Sequence, residues 1–336
     1  MVRGVNLATR INLGEMMARR IWARDSSSFL TMLVAAVCLL AAPAHAQSED
    51  SNPAKLNQRS LDLLIAEKYA EALPFAERYA EAMKSQHGTE APQYADALSN
   101  IARLYVHLGR LADAEPLYKQ AIAIAEQAPD NPDVGTYLSR LASLYFDEDR
   151  GAEAEPLLLR AVAIIETKRG PDDIHLTGPL LVLAALYEKR GQYDRAEGNY
   201  KRLLASSARH NGADSIANLD SLGYLADLYQ HIGRYREAEA PLRRSLAIIK
   251  KKFGRDDRQV ARALVHLAAL YDVERQPAKA EKLYRRALAI NADKRPSIAF
   301  WLDTIVTDYH EHGRNAEADV LAQRVREMKR LDPYRL

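Results

Sequence analysis

A pair ending in Leu-Tyr, followed nine residues later by Ala-Glu, recurs down this chain and leaves few folds open to it. Tyr105, Tyr145, Tyr187, Tyr229, Tyr271 and Tyr309 stand 40, 42, 42, 42 and 38 residues apart. Each has an alanine at plus nine: Ala114, Ala154, Ala196, Ala238, Ala280 and Ala318. The last copy varies to Asp308-Tyr309 and Ala318-Asp319. A fixed period of about 40 residues means a solenoid, in which each unit buries its apolar faces only against its neighbours. The matching class of function is binding through an extended surface.

Within the period the pattern is helical. Apolar residues recur at i, i+3, i+4 and i+7, as in Leu98, Ile101, Ala102 and Tyr105, and no stretch alternates with period two, so the fold class is all-α. Gly109 closes the first helix of its repeat in the left-handed conformation, and Gly191, Gly233 and Gly313 hold the same offset. Asp149 and Arg275 replace it in two repeats. Arginine tolerates that conformation poorly, so the turn at Arg275 is expected to be built differently. The plus-nine alanine lets two helix backbones approach closely, and Tyr118, Leu158, Tyr200, Leu242 and Tyr284 at plus thirteen are expected in the core. The tyrosines themselves, with mostly apolar neighbours at minus four and minus one, are placed between the two helices of each hairpin.

A worn copy precedes the six: Ala72 lies 42 residues before Ala114, and Leu63 takes the tyrosine position. That makes about seven hairpins, over residues 55–331. Between them, Gly88, Gly170, Gly212 and Gly254 stop one helix before acidic or hydroxyl residues able to cap the next. The final helix, Asn315 to Leu331, carries Arg324, Arg326, Lys329 and Arg330 and is expected to cap the array with a solvent face. Residues 332–336 form a short tail.

Residues 1–46 have the pattern of a secretory signal peptide. Arg19, Arg20 and Arg24 precede an apolar run from Phe29 to Ala42, too short to span a bilayer, and Ala44-His45-Ala46 offers small residues for cleavage. Translation from Met1 or from Met17 would fit. Residues 47–54 read as a polar, flexible leader. The protein is therefore expected to be exported, to the periplasm or out of the cell, without membrane insertion after cleavage. Cys38, the only cysteine, leaves with the signal, so no disulfide holds the remainder. Without the first 46 residues, 42 Lys and Arg face 43 Asp and Glu, a balance that argues against a nucleic-acid partner.

The blocks Leu141 to Tyr145, Leu183 to Tyr187, Leu225 to Tyr229 and Leu267 to Tyr271, with Ala114-Glu115-Pro116-Leu117-Tyr118 and Gly170-Pro171-Asp172-Asp173, resemble the tetratricopeptide repeat in the long form found in kinesin light chains. The resemblance implies a right-handed α-solenoid whose first helices line a concave groove that takes a peptide or protein segment. Groove positions lie five and two residues before each tyrosine: Asn100 and Arg103, Arg140 and Ser143, Val182 and Ala185, Tyr224 and Asp227, His266 and Ala269, Thr304 and Thr307. The asparagines that such light chains carry at the first of these survive only at Asn100. Asn100, Arg103 and Arg140 are the nearest approach to the paired Asn and Lys/Arg with which some relatives hold a terminal carboxylate.

Motifs for chemistry are absent: no phosphate loop, no HExxH helix, no Cys-x-x-Cys. His310 and His312 sit two apart and diverge on a helix, and Ser206 and Ser207 near His210 have no glycine motif for an oxyanion. The expectation is a non-enzymatic, cofactor-free module with a protein or peptide partner, its oligomeric state left open by the sequence. The alternative is a structural part of a cell-envelope assembly that docks through its convex face; Ile122, Ile124, Ile164 and Ile165 are the candidates for an apolar patch there.

Overall fold

The structure is a computed structural model that describes residues 52–128, 131–291, 297–311 and 313–331. The expected signal peptide with Cys38, the leader up to Ser51, His312 and the 332–336 tail lie outside the described residues. Among those described there are fourteen α-helices, two short 3-10 turns and no strand. The helices are α1 (Pro53–Ile65), α2 (Tyr69–His87), α3 (Pro92–His107), α4 (Leu111–Ala125), α5 (Asp133–Asp147), α6 (Gly151–Arg169), α7 (Thr177–Lys189), α8 (Tyr193–Asn211), α9 (Leu219–His231), α10 (Tyr235–Phe253), α11 (Arg258–Val273), α12 (Pro277–Ile290), α13 (Ile298–Glu311) and α14 (Asn315–Leu331). Helix α1 opens at Pro53, because the Asn52 side chain accepts the Ala54 N–H at 2.9 Å, so the last two residues of the expected leader are helical. The chain forms two compact units, one ending at Leu144 and one starting at Tyr145.

The first unit begins with the worn repeat. Ala72, Ala76, Ala80 and Met83 of α2 pack with Leu63 of α1 against Ala97, Ile101 and Leu104 of α3. Small residues on α2 bring the helices close, and the ring of Tyr69 stacks on His107 at 4.4 Å and 4°. Lys68 N–H donates to the Leu63 carbonyl at 2.9 Å, the bond that Arg110 N–H makes to Tyr105 in the next hairpin at 2.8 Å. Leu63 therefore occupies the tyrosine position structurally as well as in the alignment of repeats.

Helix–helix turns follow one design in both units. Gly109, Gly191, Gly233 and Gly313 have φ of 69–75°. At the same place Glu67, Asp149 and Arg275 have φ of 58, 64 and 58°. Gln276 N–H still donates to the Tyr271 carbonyl at 2.8 Å. The expectation of a different turn at Arg275 is thus overturned: the hydrogen bonds that close the turn outweigh a left-handed penalty of roughly 1–2 kcal/mol.

In the second unit the repeat positions explain what joins one hairpin to the next. All six plus-nine alanines across the chain, and Ala72, are 0% exposed. Tyr187, Tyr229 and Tyr271 are buried, and their hydroxyls donate to Glu155, Glu197 and Glu239 at 3.1, 3.0 and 2.8 Å. Each acceptor is the glutamate of Ala-Glu in the preceding hairpin. The tyrosines therefore bridge successive hairpins rather than only filling the space within one. Burial raises both carboxylates, but Arg190 and the Tyr187 hydroxyl at Glu155, and Lys201, the Tyr229 hydroxyl and Arg234 (2.7 Å) at Glu197, hold them below their ordinary range.

The last hairpin keeps the expected solvent face at three of its four named basic residues and departs from it at Arg324. Arg324 turns inward and donates from Nε and Nη2 to the two carboxylate oxygens of Asp272 at 3.0 and 3.1 Å, while Arg326, Lys329 and Arg330 are exposed. Tyr309 OH donates to Gln230 Oε1 at 2.6 Å, and Tyr235 OH bonds Glu317. The Arg314 guanidinium lies 3.7 Å from the Tyr309 ring centroid and 5.6 Å from that of Tyr235. Helices α13 and α14 thus reach back to α9 and α10 across 79 and 82 residues of sequence.

Candidate functional site

Of the predicted groove residues, four fall in the first unit on two first helices, α3 and α5. Asn100, Arg103, Arg140 and Ser143 are each part-buried. Arg140 Nη1 donates to Ser99 Oγ at 2.6 Å, one repeat back, which draws its guanidinium over α3. Ser143 is turned to its own helix, its hydroxyl donating to the Ser139 carbonyl at 2.9 Å.

The electrostatics of Arg103 and Arg140 are unusual. Neither guanidinium has a carboxylate within ion-pair distance among the described residues, whereas Arg110, in the same unit, pairs with Asp113 at 2.7 Å. Arg103 Nε is fully buried and has no hydrogen-bond acceptor. Burial, and second the positive charge of Arg140, push the Arg103 guanidinium down to about 10. Below the pair, Tyr118 is 2% exposed, and burial lifts its phenol to about 12. Asp96, which accepts from Tyr137 OH, is pushed up chiefly by burial, and the charge of Arg140 only partly offsets this. The arrangement is a cationic pair with an open demand for an acceptor, so an anion is the chemistry it favours.

The other five predicted residues lie in the second unit and do not form one cluster. Tyr224 stacks on Tyr200 at 5.4 Å; Asp227 is exposed on α9, its charge felt by Tyr309. Thr304 and Thr307 on α13 are exposed and donate to their own helix, at the Trp301 and Asp303 carbonyls (2.7 and 3.1 Å). His266 lines a cavity between α9, α10, α11 and α13, where burial, and second Arg262, push its imidazole down to about 4. Val182 and Ala269, also expected to face the groove, are 6 and 1% exposed and belong to the core. Leu242 corrects the plus-thirteen expectation in the opposite sense: it is part-exposed and lines the same cavity.

Of the two groups weighed for chemistry, the serines are engaged by backbone carbonyls, and in the histidine pair His312 lies outside the described residues. Ser206 and Ser207 donate to the Asp172 and Ala217 carbonyls at 3.1 and 3.2 Å, tying α8 to the connection before α7 and to the one that follows α8. His310 Nδ1 faces Asn315 Oδ1 at 2.9 Å. Among the described residues no three His, Cys, Asp or Glu side chains gather as metal ligands, and no helix is long and apolar enough to cross a membrane.

Comparison with known proteins agrees with the repeat geometry. The tetratricopeptide repeat family matches residues 53–127, 133–209, 177–251 and 215–293. Among solved structures, BtubC (BKLC) from P. vanneervenii is similar with a TM-score of 0.54 and 23% identity over 70% of this chain and 91% of its own. A putative kinesin light chain with TPR-like repeats from Podosopora anserina gives 0.50 and 24% over 59% and 96%. A STAND protein with a tetratricopeptide repeat sensor from Pyrococcus horikoshii gives 0.61 and 17% over 83% and 42%. At these identities the likeness is one of fold. No curated protein matches the sequence at a significant level. With its family matched over more than half of its length and all seven hairpins built on one turn, this chain belongs to the tetratricopeptide repeat family.

Proposed function

We propose that the protein is an exported, non-enzymatic interaction module that holds an extended segment of another protein along the first helices of its hairpins, with Arg103 and Arg140 gripping a carboxylate of that segment. The observation that carries this reading is the buried Arg103 Nε without an acceptor, beside a second guanidinium that also has no acid partner. A carboxylate would relieve the mutual repulsion and supply charge-assisted bonds worth about 1.5–3 kcal/mol each. Asn100, on the same face one turn earlier, is positioned to bond the backbone of the segment. Membership of a repeat family that serves as interaction modules supports a protein partner. Of the four isoleucines weighed for the convex-face alternative, Ile122, Ile124 and Ile165 are 8, 5 and 0% exposed and Ile164 alone is part-exposed, which gives that alternative little apolar surface. Export rests on the apolar run from Phe29 to Ala42 and the small residues at Ala44 and Ala46.

Calorimetry with peptides ending in a free carboxylate, against the same peptides amidated, tests the grip. The reading expects the free acids to bind and Arg103→Glu/Arg140→Glu to abolish binding; equal binding of both peptide forms, or an unaffected double variant, overturns it. N-terminal sequencing of the protein from its native cell is expected to begin at Gln47, and a retained Met1 or Met17 start would contradict export by cleavage.

A further inference from the structure

We propose that the connection between α10 and α11 docks on an anionic lipid bilayer, with Phe253 entering the interface and the lysines before it meeting lipid phosphates. Four connections in this chain stop a helix at a glycine, and the residue before that glycine is His87, Arg169, Asn211 or Phe253. The three residues before these are Lys84-Ser85-Gln86, Glu166-Thr167-Lys168, Ala208-Arg209-His210 and Lys250-Lys251-Lys252. One or two basic residues in the last turn are enough to offset the helix macrodipole, as the first three connections show. The fourth exceeds that role. His87, Arg169 and Asn211 also show that the repeat needs no apolar side chain at this place, yet Phe253 stands there 39% exposed.

The acids around this connection are already engaged. Asp214 pairs with Lys251 at 2.7 Å, Asp256 pairs with Arg286, and the Asp257 carboxylate accepts the Gln259 N–H at 2.8 Å as the cap of α11. Lys250, Lys252 and Arg255 are exposed and form no ion pair among the described residues. A chain whose residues 47–336 hold 42 basic and 43 acidic side chains thus concentrates a positive surplus at one place. An exposed ring flanked by unpaired cations suits a bilayer interface. The ring leaves water for the boundary of the acyl chains, and the flexible lysine stems let the ammonium groups reach phosphates. The choice of a bilayer over a nucleic acid rests on the export proposed above; the surface itself is independent of Arg103 and Arg140.

Co-sedimentation of the full chain with vesicles tests the surface, using phosphatidylcholine alone and phosphatidylcholine mixed with phosphatidylglycerol. The proposal expects binding to the anionic vesicles at least about tenfold tighter than to the neutral ones, and weaker as salt is added. It expects Lys250→Gln/Lys252→Gln to bind about tenfold or more weakly, and Phe253→Ser about fivefold more weakly. All three side chains are exposed, so folding is untouched, as circular dichroism would verify. Attachment through the apolar run Phe29 to Ala42 would instead be alike on both vesicles and in every variant. Equal binding to the two vesicles, or unaffected variants, would therefore overturn the proposal. So would release by inorganic phosphate at the concentration of lipid phosphate, or tighter binding to a DNA duplex than to the anionic vesicles. If the vesicle experiment fails while the free-carboxylate peptides bind, the protein-binding function stands and only this surface is lost.

Discussion

Replacing Arg324 with Met removes the contact that fixes the last hairpin. The guanidinium and the Asp272 carboxylate are 15 and 5% exposed and share two parallel hydrogen bonds at 3.0 and 3.1 Å. Methionine keeps part of the stem's packing near the Tyr284 ring, which lies 5.3 Å from the guanidinium carbon, but leaves the enclosed Asp272 carboxyl without its arginine. One-sided removal of a buried pair costs about 3–5 kcal/mol, and the retained packing places Arg324→Met near the low end, about 3 kcal/mol. The converse change is milder. In Asp272→Asn the arginine still has Glu327 at 2.6 Å and Glu281 at 3.3 Å, so the loss is about 1–2 kcal/mol. Because a repeat array opens from its ends, urea unfolding is paired with hydrogen exchange: protection should fall first over 297–331 while α1–α4 keep theirs. A cost for Arg324→Met below about 1 kcal/mol, the value of an exposed pair, or a larger cost for Asp272→Asn, refutes the reasoning.

Three further outcomes follow from single positions. Ala196→Leu, at a site 0% exposed, should cost about 1–3 kcal/mol by overpacking α8 against its neighbours, measured as a drop in urea midpoint at unchanged slope; no change would mean the helices are not in close contact there. Arg275→Gly, relieving φ 58° at an exposed residue, should raise stability by about 0.5–1 kcal/mol after glycine's extra chain entropy, and a destabilised variant would contradict the turn described. His266, held near 4 in the folded state against 6.5 unfolded, favours the neutral form on folding. Its contribution is therefore complete above pH 6.5 and is lost as pH falls towards 4, amounting to about 2 kcal/mol at pH 5. His266→Gln should lose less stability than the parent between pH 7 and 5; identical slopes would exclude it as the titrating group.

How far the sequence carries is visible residue by residue. The alanines at plus nine announce their burial because no larger residue ever replaces them, and Leu63 is recognisable as a worn tyrosine from the spacing of Ala72. The glutamate after each alanine recurs almost as faithfully, yet its role as acceptor for the next tyrosine needs the geometry between hairpins, 32 residues apart. Arg275 misled because propensity weighs one residue, whereas the turn is decided by the hydrogen bonds around it. Leu242 looks like Leu158 in sequence but borders a cavity, since exposure there depends on where α13 lies. That placement rests on Tyr309 with Gln230 and Tyr235 with Glu317, pairs too distant along the chain for any period to reveal. Arg103 and Arg140 were legible as polar residues at groove positions; their lack of an acid partner was not.

The central claim is that a partner protein is recognised through Arg103 and Arg140. Its most direct test is quantitative affinity capture from an extract of the native cell, with the parent and Arg103→Glu/Arg140→Glu proteins compared at matched folding by circular dichroism. A reproducible set of proteins retained by the parent and lost from the double variant is predicted. The same set on both proteins, or no reproducible set on either, would contradict it.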